Sequence, residues 1–240
     1  ITREAFHITN TGRPGPVLID VPKDVSSGPF TGDLYPEMDL PGYKPEQVNL
    51  DKDEVLAIAE ALSKSKRPLI LAGHGVIIAG GAQSLLRLAE KTKIPITNTL
   101  LGKGAFPEGH PLALGMLGMH GTAYANKAVV ECDLIMSIGS RYDDRIIGQA
   151  PLFCKDATRI HVDIDSSEFG RMIKCDHYCH GDAREFIDEL TKHVGELNTS
   201  DWLEHLNGYK TKYPLNYKVQ GGLKMQHILD VLPEITDGDA

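Results

Sequence analysis

Short apolar runs alternate with helix-spaced stretches from Asp51 to Val194, and this alternation restricts the fold more than any other feature of the chain. The runs are "RPLILAGHGV", "IPITNT", "DLIMSIG", "ATRIHVDID" and "HYCHGD". Between and around them stand "DKDEVLAIAEALSKSK", "GAQSLLRLAEKTK", "TAYANKAVVECD" and "AREFIDELTKHV". The first of these helices opens on acidic residues, which suits its dipole. Strands separated by helices pair in parallel, because a parallel crossover needs a connection about as long as a helix. A parallel sheet must then be covered on both faces. The pattern predicts an α/β fold: a doubly wound, Rossmann-like, mostly parallel sheet with helices on both faces, flanked by partial segments of neighbouring domains.

The flanks differ in character. Residues 1–25 read as the end of an amphipathic helix ("ITREAFHI"), a turn ("NTGRPGP") and a strand, Pro16 to Pro22. Residues 26–50 hold Gly28, Pro29, Gly32, Pro36, Pro41, Gly42 and Pro45, a composition for an extended linker. Residues 51–195 form the predicted central domain, 196–222 a linker region with the helix "SDWLEHLNGYKTKY", and 223–240 begin a further domain with "KMQHILDVLPEI". The chain opens without Met and stops where a strand is expected, so it reads as a piece of a longer polypeptide.

A net charge of −8, with no long Lys/Arg cluster, gives nucleic-acid or anionic-membrane binding little support, but leaves a local pocket for a small anion open. No apolar run reaches the ~18 residues of a membrane span, and no signal peptide is present. "CDHYCH" raises the question of zinc, yet the second cysteine pair of a structural site is missing. Cys132, Cys154, Cys175 and Cys179 are therefore read as buried, reduced thiols of a cytosolic protein.

In open parallel sheets ligands sit outside the carboxyl ends of the strands. That rule selects the segments after Ala72, Asn98, Ile138, Asp163 and His180. "GHGV" places Gly73 and Gly75 where a backbone could approach a ligand, though Ile78 stands where the dinucleotide fingerprint needs its third glycine. "TLLGKG" and "GMLGMHG" lie in a loop of about 20 residues, long for a compact domain. Met116, Leu117 and Met119 could wall a flat ligand or merely fill a buried loop. "GSRYDDR" ends the third run with four charges in five positions. Strand alternation would put Arg141, Asp143 and Arg145 on one side and Tyr142 and Asp144 on the other. An anion held by the arginines and an internal salt-bridge cluster fit this stretch equally well. Asp163 suits ribose hydroxyls, and Gly181-Asp182 could hold an adenine edge. Together the five ends favour an adenine dinucleotide site.

"GRPGPVLIDVPKDV", "GMLGMHGTAYAN", "GSRYDDR", "HVDID" and "GDAR" occur in that order in the catalytic subunit of acetohydroxyacid synthase (acetolactate synthase), and the chain resembles that family along essentially its whole length. The pairing of "MLGMHG" with "RYDDR" separates the FAD-containing biosynthetic synthase from its FAD-free relative and from pyruvate decarboxylases. The resemblance implies the central FAD-binding domain of a three-domain enzyme, with the tail of the first thiamin diphosphate domain (1–25) and the start of the third (223–240). It implies decarboxylation of pyruvate on thiamin diphosphate with Mg²⁺, then transfer of the two-carbon unit to a second pyruvate or to 2-ketobutyrate. That chemistry serves branched-chain amino-acid biosynthesis, with FAD largely structural.

On matching positions, the resemblance makes Arg13 the arginine that reaches FAD from the first domain. Gly73, Gly75, Thr99 and Leu100 become dinucleotide contacts. Leu117, Gly118, Met119, His120, Gly139, Ser140 and Arg141 become walls for the isoalloxazine and pyrophosphate. Asp143, Asp163, Ile164, Gly181 and Asp182 complete the FAD contacts, while Arg145, with Asp144 and Met119, borders the substrate channel. Arg141 and Asp143 are thus expected to look toward FAD, and Asp144 and Arg145 toward the channel. His74 departs from the family's glycine, which weakens the backbone contact expected there. No metal ligand falls within the chain. Nor do the activating glutamate and the "GDG…N" segment, for which "DGDA" is no substitute, so catalysis and tight FAD binding are not expected of these 240 residues alone. Expected partners are 2-keto acids, a homodimer or homotetramer and a regulatory subunit; the location is cytoplasmic in bacteria and organellar in eukaryotes. Alternatives are a glyoxylate carboligase carrying FAD and thiamin diphosphate, or a scaffold domain without cofactor.

Overall fold

In the first strand, β1 (Pro68–Ala72), side chains alternate between two cores. Ile70 and Ala72 point into one, Leu69 and Leu71 into the other, and all four are fully buried. Only a strand with helices on both faces has this pattern. A computed structural model describes residues 1–45, 48–218 and 221–237. The remaining strands are β2 (Ile96–Asn98), β3 (Ala113–Met116), β4 (Leu134–Ile138), β5 (Thr158–Asp163) and β6 (His177–His180). They form one sheet in the order β3-β2-β1-β4-β5-β6, and every pairing is parallel. The fold is a doubly wound α/β sheet, parallel throughout.

Ten helices accompany the strands among the described residues. They are α1 (Thr2–Asn10), α2 (Lys23–Ser27), α3 (Lys52–Lys64), α4 (His74–Ile78), α5 (Ala82–Thr92), α6 (Ala123–Glu131), α7 (Asp144–Ile147), α8 (Ala183–His193), α9 (Ser200–Lys212) and α10 (Met225–Ile235). One core joins α3, α5 and α8 to the sheet through Ile58, Leu62, Leu88, Phe186 and Leu190. The other joins α6 and α9 through Ala128, Val129, Trp202 and Leu206. Asp51 caps α3 and Asp182 caps α8, each accepting two backbone N–H bonds at the helix start. The Trp202 indole N–H donates to the Pro68 carbonyl at 3.1 Å, tying α9 to the amino end of β1. The helix in the stretch read as a linker region therefore packs into the second core.

Two expectations are corrected. Pro16 to Pro22 is not a strand: it is extended without pairing among the described residues, and Leu18 is 92% exposed. Apolar residues form a strand only where a neighbour completes the hydrogen-bond ladder, and none of the described residues pairs with this segment. The long loop before Gly121 is not structureless. "ALGM" adds β3 to the sheet edge, paired to β2 through Ile96–Ala113 and Asn98–Met116 with a register shift between them. A short edge strand beside two prolines carries too little pattern to be recognised. Residues 46–47, 219–220 and 238–240, which fall in the expected linkers and most of "DGDA", lie outside the described residues.

Candidate functional site

The strand order reverses direction between β1 and β4, and a crevice opens outside their carboxyl ends. It widens into a cavity of about 690 Å³, within the range of ligand sites, roughly 300–1,000 Å³. All five selected strand ends reach it. The end of β1 supplies His74 and Gly75; β2 supplies Thr99 and Leu100; β4 supplies Gly139, Ser140 and Arg141. The end of β5 supplies Asp163 and Ile164, and that of β6 supplies Gly181 and Asp182. Leu117, Met119 and His120 line it from the loop after β3, and Arg13 arrives from the segment before the sheet. Of the residues expected at the site, only Gly73, Gly118 and Asp144 are not in the lining. Pro14, Ile78, Ala79, Leu101, Met116, Ile146, Val162 and Ala183 join it.

The cavity floor is made of backbone packed on backbone. Gly75 donates its N–H to Gly139 O at 3.0 Å, and Gly73 donates to Ile138 O at 3.0 Å. A Cβ on Gly75 would stand 2.7 Å from Gly139 Cα, and one on Gly73 2.2 Å from Gly139 O. Gly139 itself has φ +59°. The glycines of "GHGV" therefore serve a close approach between the β1 and β4 loops. Of the two, only Gly75 also lines the cavity. "GHGV" is not a plain loop either: α4 begins at His74, whose Nδ1 donates to the Leu101 carbonyl at 2.9 Å and ties two rim segments together.

The charged strand end resolves in the same terms. Tyr142 turns inward, 4% exposed, and donates its hydroxyl to Ile160 O at 3.2 Å. Burial pushes its phenol well above the ordinary tyrosine range. Arg141, Asp143 and Arg145 share the cavity, as strand alternation predicts, while Asp144 lies outside the lining. The chain turns at Asp143, which caps α7 by accepting the Arg145 N–H at 3.0 Å. Arg141 pairs with Asp143 at 3.6 Å and Arg145 with Asp144 at 3.7 Å. The four charges form two local ion pairs, and Arg145 lines the same cavity as Arg141 and Asp143.

Opposite them, Arg13 bonds Asp165 and Glu168 at 2.8 Å each, which holds its guanidinium charge firmly. Hydrogen bonds from Ser167 and then Arg13 lower the Asp165 carboxyl against the effect of partial burial. Asp163 is 7% exposed and accepts the Asp165 N–H at 3.0 Å. His161, two residues earlier on the same face of β5, is 1% exposed, and its Nε2 finds no hydrogen-bond partner among the described residues. It lies 3.8 Å from Asp163 Oδ2, a neighbour of the site the sequence did not single out. On the rim Leu100, Leu101 and Met119 are 68–76% exposed, an apolar edge around a charged interior.

The fit to a dinucleotide rests on this donor set. Arginines 13, 141 and 145 line the cavity together with carboxylates 143, 163 and 182, and Leu100, Leu101 and Met119 add exposed apolar surface. Such an arrangement suits a ligand with a central anionic group, hydroxyls at one end and a flat ring at the other. The zinc question at Cys175–His180 meets a different geometry. Cys179 is buried, His177 contacts Glu54 at 3.0 Å and His180 contacts the Ile164 carbonyl at 2.9 Å. Among the described residues no group of three or more His, Cys, Asp or Glu is placed to hold a metal.

Comparison with known proteins gives the site a context. Residues 55–190 match the family model described as "Thiamine pyrophosphate enzyme, central domain". The probable acetolactate synthase large subunit of Methanocaldococcus jannaschii is 49% identical over 210 residues, which cover 85% of this chain and 35% of that protein. The acetolactate synthase large subunit of Corynebacterium glutamicum is 40% identical over 244 residues, 99% of this chain and 39% of that protein. The acetolactate synthase 2, chloroplastic, of Nicotiana tabacum is 40% identical over 248 residues, covering 100% and 37%. The chain thus spans 35–39% of the length of these relatives.

Proposed function

This chain belongs to the thiamine pyrophosphate enzyme family, matching its central domain, and on that premise we propose that it is the FAD-binding middle of an acetohydroxyacid (acetolactate) synthase catalytic subunit. The carrying observation is the cavity at the β1/β4 switch point, lined by arginines 13, 141 and 145 and by carboxylates 143, 163 and 182. In this reading Arg13 and Arg141 hold the anionic centre of FAD, and Asp163 and Asp182 accept its hydroxyl and base hydrogen bonds. Leu117, Met119 and His120 flank its flat ring. The Arg145 guanidinium orients the carboxylate of the second keto acid. Thiamin diphosphate with Mg²⁺, bound outside these residues, supplies the decarboxylation of pyruvate and the two-carbon unit for transfer.

The product is 2-acetolactate from two pyruvates, or 2-aceto-2-hydroxybutyrate when 2-ketobutyrate accepts, both precursors of branched-chain amino acids. The relatives' description as large subunits supports a separate regulatory subunit as partner of a homodimer or homotetramer. The location is cytoplasmic for a bacterial source and organellar for a eukaryotic one. The test is the full-length protein purified with thiamin diphosphate, Mg²⁺ and FAD. It should show visible flavin absorption and form acetolactate from pyruvate. A colourless protein inactive on pyruvate refutes the reading, and turnover of glyoxylate in place of pyruvate transfers it to a carboligase.

A further inference from the structure

The loop that carries Met119 and His120 is closed on itself by its own backbone. Thr122 donates its N–H to Met116 O at 2.8 Å, and Gly121 donates to Gly118 O at 3.0 Å. One side chain from outside the loop completes the closure. Asn126, in α6, accepts the Gly118 N–H at 2.9 Å and donates to the Gly118 carbonyl at 3.0 Å. Both polar groups of one peptide residue are thus held by a single carboxamide, a pairing that fixes position and orientation together. Asn126 is itself set by the helix start: Thr122 caps α6 with its hydroxyl to the Ala125 N–H at 3.1 Å, and Asn126 donates its own N–H to Thr122 O at 3.1 Å.

Gly118 is also where the loop meets the other side of the cavity. Its φ is +102°, and a Cβ there would stand 2.9 Å from the Arg145 carbonyl oxygen. The residue that Asn126 clamps is therefore the residue against which the backbone of Arg145 rests. Met119 follows Gly118 directly, and Met119, His120 and Arg145 all line the cavity. Asn126 does not line it.

We propose that Asn126 is a positioning residue that sets the Met119–His120 loop and the α7 arginine, Arg145, as one unit, and thereby selects between keto-acid acceptors. The acceptor part of the proposal rests on the function proposed above; the mechanical part does not. Without the clamp Gly118 can leave the Arg145 carbonyl, and the two lips of the cavity then move separately. Arg145 keeps its charge but loses the surface that fixes its distance from Met119. The larger acceptor, 2-ketobutyrate, needs both lips, so its use falls more than that of pyruvate.

The test uses the full-length protein with Asn126→Ala, which removes both bonds, and Asn126→Asp, which keeps the acceptor for the Gly118 N–H. Hydrogen exchange is measured on peptides covering 115–122 and 141–148. The expected result is faster exchange in both peptides for N126A and a smaller rise in both for N126D. A rise confined to 115–122 overturns the coupling. In competition between pyruvate and 2-ketobutyrate, the acetohydroxybutyrate-to-acetolactate ratio should fall about fivefold for N126A, equivalent to about 1 kcal/mol of lost discrimination. N126D should recover part of it. An equal loss of both products, with the ratio unchanged, overturns the acceptor role. If N126A does not fold, N126D decides alone by the same two readouts. A wild-type protein that makes neither product refutes the proposed function, and with it the acceptor part, while the exchange measurement still decides the coupling.

Discussion

Replacing Gly75 by Ala tests whether the cavity floor is as tightly built as its contacts say. The new methyl group would stand 2.7 Å from Gly139 Cα, whereas ordinary contact begins near 3.4 Å, so the β1 and β4 loops must part by about 0.7 Å. The obstacle is backbone, so no side chain can swing aside. That movement carries the Gly75 N–H···O=C bond to Gly139 from 3.0 Å to about 3.7 Å, past the hydrogen-bond range. Overpacking costs about 1–3 kcal/mol and the lost bond about 1 kcal/mol more. The total, roughly 2–4 kcal/mol, is a large share of a domain's net stability but less than the whole of it. The variant should fold and melt roughly 4–16 °C below wild type. Gly208→Ala is the control: it lies exposed in α9 with nothing within 4 Å of the added Cβ, and should gain about 0.5–1 kcal/mol from helix propensity alone. Urea denaturation of the three proteins measures both differences. If G75A is as stable as wild type, the two loops are free to spread and the argument for a rigid floor is wrong.

Other perturbations reach other parts. Arg145→Ala in the full-length protein should depress use of 2-ketobutyrate more than use of pyruvate, and equal loss with both acceptors rules out a part in choosing between them. Arg13→Ala removes two 2.8 Å bonds, one of them to the buried Glu168, and should cost roughly 1–3 kcal/mol and speed proteolysis within residues 1–45. Trp202→Ala should cost about 3–5 kcal/mol, while Trp202→Phe keeps most of the packing and loses the bond to Pro68; chemical denaturation separates them. Burial pushes the Cys175 and Cys179 thiols up to about 12. A folded-state value above the unfolded one favours the fold at low pH, and the advantage is lost as pH rises. The urea midpoint should therefore decline between pH 9 and 12, and a Cys175→Ser, Cys179→Ser double variant should decline less.

The layered fold and most of the strand ends were legible because they rest on local pattern: a continuous apolar run in β1, helical spacing in α3, α5 and α8. What was not legible depends on partners far along the chain. Pro16 to Pro22 has the residues of a strand and lacks the neighbour. β3 has the neighbour, in β2, and few of the residues. The glycines of "GHGV" were read as a close approach to a ligand, whereas the backbone that Gly75 approaches lies 64 positions away at Gly139, beyond the reach of any motif. α4 and α7 are too short for periodicity to show. Asn126 left one faint mark, an amide of poor helix propensity in the second turn of a helix directly after a glycine-rich loop. His161 left none, since a histidine inside an apolar strand looks the same whether or not a carboxylate follows on its face.

Tyr142 has a role that goes beyond filling the second core. It is the only uncharged side chain between Arg141 and Arg145, and its ring is enclosed by Phe153 and His161. If the chain slipped by one residue at the end of β4, an arginine or an aspartate would enter that aromatic slot, at a cost of several kcal/mol for an unpaired buried charge. The phenol thus indexes the charges like a detent in a ratchet. The spacing at which Arg141, Asp143 and Arg145 reach the cavity is set by a side chain that does not line it.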